Sequence, residues 1–140
     1  MKTLMTAVAL TFASFTSLAA SVSFPESIDV TGVNGKSQFS NHQIELTKGD
    51  NLIELKYYDI FEANADDSGA WVKSQPLYLL MNADNQDQYQ AFTPKIDTEE
   101  EAYDFIENPV LTLTNTAGKE KEVALLTHHQ LMAKLLFAKQ

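Results

Sequence analysis

The stretch Lys48-Gly49-Asp50-Asn51-Leu52-Ile53-Glu54-Leu55-Lys56-Tyr57-Tyr58-Asp59-Ile60-Phe61 decides the fold. Its first four residues have turn chemistry. After them Ile53, Leu55 and Tyr57 fall on one side of an extended chain, and Glu54, Lys56 and Tyr58 on the other. A repeat of two is the signature of a strand with one face buried. A strand this long needs neighbours on both edges, so the flanking segments should be strands as well.

The segments before it agree. Val22, Phe24, Ile28, Val30 and Val33 make a strand signal broken by Pro25, and Asn34-Gly35 closes it. Asn-Gly favours a tight hairpin because both central positions of a type I′ turn need positive φ. The return strand, from Gln38-Phe39 to Ile44-Glu45-Leu46, has a less regular pattern.

After Phe61, residues 62–69 are small and polar and read as a surface loop. Trp71 to Met81 resumes the extended pattern, with Leu77, Leu79 and Met81 on one face. Pro76, which cannot donate a ladder hydrogen bond, marks an edge or a bulge. Tyr89 to Thr93 reads as the returning strand of a hairpin with it.

Between Asp97 and Asn108 the period changes to that of a helix, with Ala102, Phe105 and Ile106 on one face. Thr98 and Glu101 have capping-box spacing, and three glutamates occupy the first turn, where the helix dipole favours them. Pro109 ends it. Val110–Thr114 and Val123–Leu126 then form an antiparallel pair around a turn. A last helix begins at Thr127 and aligns Leu131, Met132, Leu135 and Leu136. Burial on the sheets is its default; an exposed face would drive dimerisation. The expected fold is mainly β: an antiparallel, Ig-like β-sandwich with one short internal helix and a C-terminal helix.

Met1-Lys2, an apolar run from Leu4 to Phe15 and Ser17-Leu18-Ala19-Ala20 have the layout of a secretory signal peptide. The expected organisation is a leader over residues 1–20 and a single β-sandwich domain over 21–140, delivered to the periplasm. With no cysteine, stability must come from packing rather than disulfides.

Charge narrows the partners. Lys+Arg total 10 against 19 Asp+Glu, for a net charge of -9. Nucleic acid is bound through clustered cations, which this acidic chain does not have. No Gly-rich phosphate loop occurs among the 5 glycines, and no cofactor is expected. A cysteine nucleophile is impossible. A hydrolase would need His42 or His128 in a cleft beside a serine and a carboxylate, and neither histidine stands in a recognisable motif.

His128 and His129 are adjacent, so they lack the four-residue spacing that lets one helix face hold zinc. Asp66-Asp67 and Asn82 to Asp87 are oxygen-rich loops without the EF-hand order, and no metal site is expected. Tyr57, Tyr58, Phe61, Trp71, Tyr78 and Tyr89 would suit sugar stacking if several shared an outer face. More often, alternating aromatics are core and cross-strand pairs.

One resemblance adds to this. Asn34-Gly35-Lys36 after a first strand, Lys48-Gly49 before a long one, Lys73-Ser74-Gln75-Pro76, then Tyr89, Pro94, Ala102, Phe105, Pro109 and Gly118 give an order of motifs. It resembles a family of exported Gram-negative proteins of unknown function that includes the curli synthesis inhibitor. The resemblance implies a periplasmic, non-enzymatic protein that binds a partner, such as an amyloid fibre subunit. The candidate partner-binding residues are Trp71, Lys73, Pro76 and Tyr78, on a strand suited to a sheet edge. The alternative is a carbohydrate or cell-envelope binding module, which requires an exposed aromatic strip.

Overall fold

In the computed structural model, which describes residues 20–61, 69–83 and 87–138, the chain forms ten strands and two helices. In chain order these are β1 (Ser21–Ser23), β2 (Ile28–Val33), β3 (Lys36–Asn41), β4 (Gln43–Glu45), β5 (Gly49–Phe61), β6 (Ala70–Lys73), β7 (Leu77–Ala83) and β8 (Gln88–Phe92). Helix α1 (Glu99–Glu107), β9 (Val110–Thr114), β10 (Glu120–Ala124) and α2 (His128–Phe137) complete it.

The hub is β5. Its inward positions Asn51, Ile53, Leu55 and Tyr57 are at most 1% exposed, as the period-two pattern requires. One of its edges pairs with β2, and the other pairs first with β7 and then with β6. With β3 beside β2, these five strands make one sheet. The β2–β3 turn has Asn34 at φ 51° and Gly35 at φ 80°, the positive angles that Asn-Gly predicts.

Asn51 ties this region together from inside. Its Oδ1 accepts from the Thr47 amide, the Thr47 hydroxyl and Asn34 Nδ2, each at 3.0 Å. Its Nδ2 donates to the carbonyls of Thr47 and Gly49. A buried amide saturated in this way avoids the desolvation cost of an unpaired polar group.

The other sheet runs β10-β9-β8-β1-β4. Here the expected antiparallel, Ig-like arrangement fails: β1 is antiparallel to β4 but parallel to β8, so the sheet is mixed. The hairpin expected between the strands around Leu79 and Tyr89 also fails. β7 pairs with β5, whereas β8 pairs with β1 and β9 in the other sheet. Parallel neighbours need a long crossover, and the connection from β1 to β8 includes every strand of the first sheet.

One apolar cluster lies between the elements, drawing Val22 and Ile44 from one sheet, Leu55 and Leu79 from the other and Phe105 from α1. Helix α1 has the capping box that Thr98 and Glu101 predict, and it buries Ala102 and Phe105. The Phe105 ring tilts against Tyr57 with centroids 5.1 Å apart. Nearly all of the expected leader, residues 1–19, lies outside the described residues, as do the loop carrying Asp66-Asp67 and residues 84–86 of the second oxygen-rich loop.

Candidate functional site

Strands β6 and β7 lie end to end along the same edge of β5. The pairing runs Tyr58↔Lys73 on one side of the junction and Leu55↔Leu77 on the other, so Gln75 and Pro76 together face Lys56. That is a β-bulge, the device Pro76 signals in the sequence. Ser74 holds the junction: its amide donates to the Tyr57 carbonyl, and its hydroxyl accepts from the Tyr57 amide, both at 2.9 Å.

Since Ser74 turns its backbone toward β5, strand alternation turns the amides and carbonyls of Trp71 and Lys73 outward. Among the described residues no strand pairs with β6 on that side. The face beside this margin is apolar and wet. Trp71 is 55% exposed and Ile60 45%, and they stand opposite each other across the β5–β6 ladder. Tyr58 stacks on Trp71 with centroids 6.4 Å apart, and the Lys73 ammonium lies 5.5 Å from the Trp71 ring centre. A cation over an indole face is held by the ring quadrupole. Gly69 fits under this patch because a Cβ there would come within 2.6 Å of Ile60 Cγ2.

Tyr78 does not belong to the open margin. Its amide and carbonyl both pair with Leu126 at 2.8 Å, which seals β7 at that point. Its ring tilts toward His128 with centroids 6.2 Å apart. Burial, followed by the carboxylate of its cross-strand neighbour Glu54, pushes the phenol pKa up. Of the four residues predicted from sequence, Trp71 and Lys73 are therefore at the open edge, Pro76 is in the bulge and Tyr78 is at the seal.

Helix α2 begins just past that seal. It has a complete capping box between Thr127 and Gln130, yet only Leu131 is buried. Leu136 and Phe137 are more than two-thirds exposed. Of the stripe expected to rest on the sheets, Leu131 is buried, Met132 and Leu135 are about half exposed and Leu136 is mostly exposed.

The three histidines make local contacts. His42 Nδ1 is 3.0 Å from the Ile28 carbonyl, and its Nε2 is 4.0 Å from the Asp29 carboxylate, at the bend between β3 and β4. His128 and His129 lie edge to face. Among the described residues no group of three or more His, Asp or Glu is placed to hold a metal ion, and no helix is long and apolar enough to cross a membrane.

Tyr57 is the buried polar group with no role in this margin. Its hydroxyl has no hydrogen-bond partner among the described residues. Burial raises its pKa to about 12, with the nearby Asp59 carboxylate adding to the effect.

Comparison with known proteins gives this architecture a family. Residues 21–138 match the family described as "Uncharacterized protein conserved in bacteria (DUF2057)". The chain belongs to the DUF2057 family. It is 32% identical over 108 residues to a UPF0319 protein of Shewanella baltica (strain OS223), covering 72% of this chain and 46% of that relative. A UPF0319 protein of Shewanella oneidensis is 30% identical over 103 residues, and one of Photobacterium profundum is 27% identical over 95. The chain spans about half the length of the curated relatives it matches. No solved structure matches it.

Membership in DUF2057 corrects the resemblance to the curli synthesis inhibitor family, to which none of these matches points. The residues that suggested it are mostly turn and core positions such as Gly49, Ala102, Phe105 and Gly118. Positions of that kind recur wherever strands and turns of this spacing are built, so they do not identify a family.

Proposed function

We propose that this DUF2057 chain is an exported, non-enzymatic binding protein that takes an extended segment of a partner protein along the outer edge of β6. Its two sheets, read as the layers of a sandwich, serve as the scaffold. The observation that carries the reading is the margin at Trp71 and Lys73. Outward backbone groups stand without a neighbouring strand among the described residues, flanked by exposed Ile60 and Trp71 and the half-buried Tyr58 stacked on Trp71. Strand addition draws affinity from such backbone groups and selectivity from the side chains beside them. The leader-like layout of residues 1–20 supports export, with action in the periplasm.

The test uses the direction of the Lys73 amide. Lys73→Pro removes the outward donor and no hydrogen bond to β5, whereas Lys73→Gln removes only the charge. A photo-cross-linking residue replacing Gln75 in the living bacterium should capture a discrete partner. The adduct should persist in the Gln variant and vanish in the Pro variant. Equal cross-linking in both variants contradicts strand addition.

Carbohydrate or envelope binding is the second reading, favoured by the exposure of Trp71. It predicts that Trp71→Ala abolishes binding to isolated cell-envelope glycan and that Lys73→Pro leaves it unchanged.

A further inference from the structure

The seal between Tyr78 and Leu126 is also the apex of a cleft. At that point β7 and the residues following β10 are antiparallel and hydrogen-bonded in both directions. If the pairing continued, Leu80 would meet Ala124 and Asn82 would meet Glu122. Neither pair forms, and the two strands diverge. Strand alternation fixes what faces the gap. Leu125 donates its amide to the Pro109 carbonyl, on the β9 side, so Ala124 and Glu122 turn their backbone groups away from β9 and into the gap. On β7, Leu80 and Asn82 share the outward parity of Tyr78. Two rows of backbone donors and acceptors therefore border the divergence, and Leu80 and Asn82 of one row and Glu120 of the other line an opening of about 420 Å³. That lies within the range of roughly 300–1,000 Å³ typical of ligand sites.

The floor of the cleft is apolar, formed by Met81, Leu113 and Val123. Lys119 and Lys121 stand at its mouth. Lys121 is opposite Leu113, a core residue, and so shares the inward face of β10, whereas Glu122 is on the outward face and does not line the cleft. Among the described residues neither lysine has an ion pair. In a chain of net charge -9, two cations line this cleft against one carboxylate, Glu120.

We propose that this cleft is a second acceptor site, which takes an extended peptide segment carrying a carboxylate at the end that reaches Lys119 and Lys121. The inference rests on the reading of the chain as a protein-binding module and locates a site separate from the β6 margin. Backbone rows with no strand partner among the described residues fit a peptide in a way they do not fit a lipid tail, which offers no hydrogen bonds. A strand lying between two antiparallel walls is parallel to one and antiparallel to the other. The fold already contains that arrangement, since β1 sits in this way between β4 and β8. Apolar side chains on one face of the segment would meet Met81 and Val123, and its carboxylate would meet the lysines.

The experiment selects short random peptides displayed on phage against the full chain, then resynthesises the best binders with either a free or an amidated C-terminus. Expected winners alternate apolar and polar residues and carry an acidic or free carboxyl end. They should slow amide exchange at Leu80, Asn82, Glu122 and Ala124. Lys119→Glu with Lys121→Glu, a surface pair that leaves the core intact, should weaken binding by about tenfold and more at low salt. Leu80→Pro, which removes an outward amide while sparing the ladder to β5, should do the same.

Winners that protect the amides of Trp71 and Lys73 instead would overturn the cleft and leave the β6 reading standing. Insensitivity to Lys73→Pro combined with sensitivity to the lysine reversal would support the cleft and leave the β6 reading to its own test. Dodecanoate binding that protects none of the four amides, with no peptide selected, would identify the cleft as a site for apolar anions and sink the proposal.

Discussion

The two ends of the β6–β7 margin share the neighbour β5 and the bulge between them, yet one is closed and the other open. At Tyr78 a segment from far along the chain arrives and bonds in both directions. At Trp71 and Lys73 none does among the described residues. Both ends are anchored inward by fully buried side chains, Leu79 on one and Val72 on the other. Packing on the core therefore does not distinguish them; only the fate of the outward backbone groups does. The protein holds an edge strand rigid from within and leaves part of its outer margin free, which is what strand addition requires.

The largest effect should come from the shared inner anchor. Leu79→Ala empties a site with no solvent exposure and should cost about 2–5 kcal/mol in urea denaturation. Leu136→Ala, on the exposed face of α2, should stay within about 0.5 kcal/mol of the parent. A large loss from the second variant would mean that α2 is covered in solution.

Next comes the junction between the two ends. Ser74→Ala leaves the buried Tyr57 amide without its acceptor, and a loss of about 1–3 kcal/mol is expected. The bulge should loosen with it, so exchange at Leu77 should accelerate while Val30, on β2, keeps its rate.

Lys73→Pro sharpens the comparison from the outer side. Its stability should lie within about 0.5 kcal/mol of the parent, because proline is tolerated where a strand's N–H faces away from the ladder. The equivalent change at Tyr78 breaks a bond to Leu126, adding about 0.5–1.5 kcal/mol to whatever the ring substitution costs.

Tyr57 combines a small effect near neutrality with a defined pH signature. Its folded pKa of about 12 lies above the ordinary tyrosine value of 10.0. The folded state therefore holds the phenol proton more tightly than the unfolded state. That contribution is complete below pH 10 and is lost as pH rises toward 12. Tyr57→Phe should remove this part of the alkaline decline. At pH 8 it should change stability by less than about 1 kcal/mol, since the hydroxyl has no partner to lose among the described residues.

Local chemistry made much of this legible. Asn34-Gly35 announces its turn, Thr98 and Glu101 their capping box, and Pro76 its bulge, because each signal acts on its immediate neighbours. The parallel pairing of β1 with β8 leaves no such trace, since it depends on where a long crossover returns the chain. Tyr78 could not be separated from Trp71 and Lys73 for the same reason: its seal is Leu126, remote in sequence. The apolar residues of α2 have helical spacing whether or not anything covers them, so their exposure was not legible either. The role of Asn51 was hidden because its five hydrogen bonds converge from two different turns.

Residue-resolved amide exchange of the free protein tests the open margin most directly. The amides of Trp71 and Lys73 should exchange close to the rate of unstructured chain, while Tyr78, three residues past the bulge's start and bonded to Leu126, is protected along with Val72. Protection of Trp71 and Lys73 equal to that of Tyr78 would mean that the margin is already occupied, and the account would be wrong.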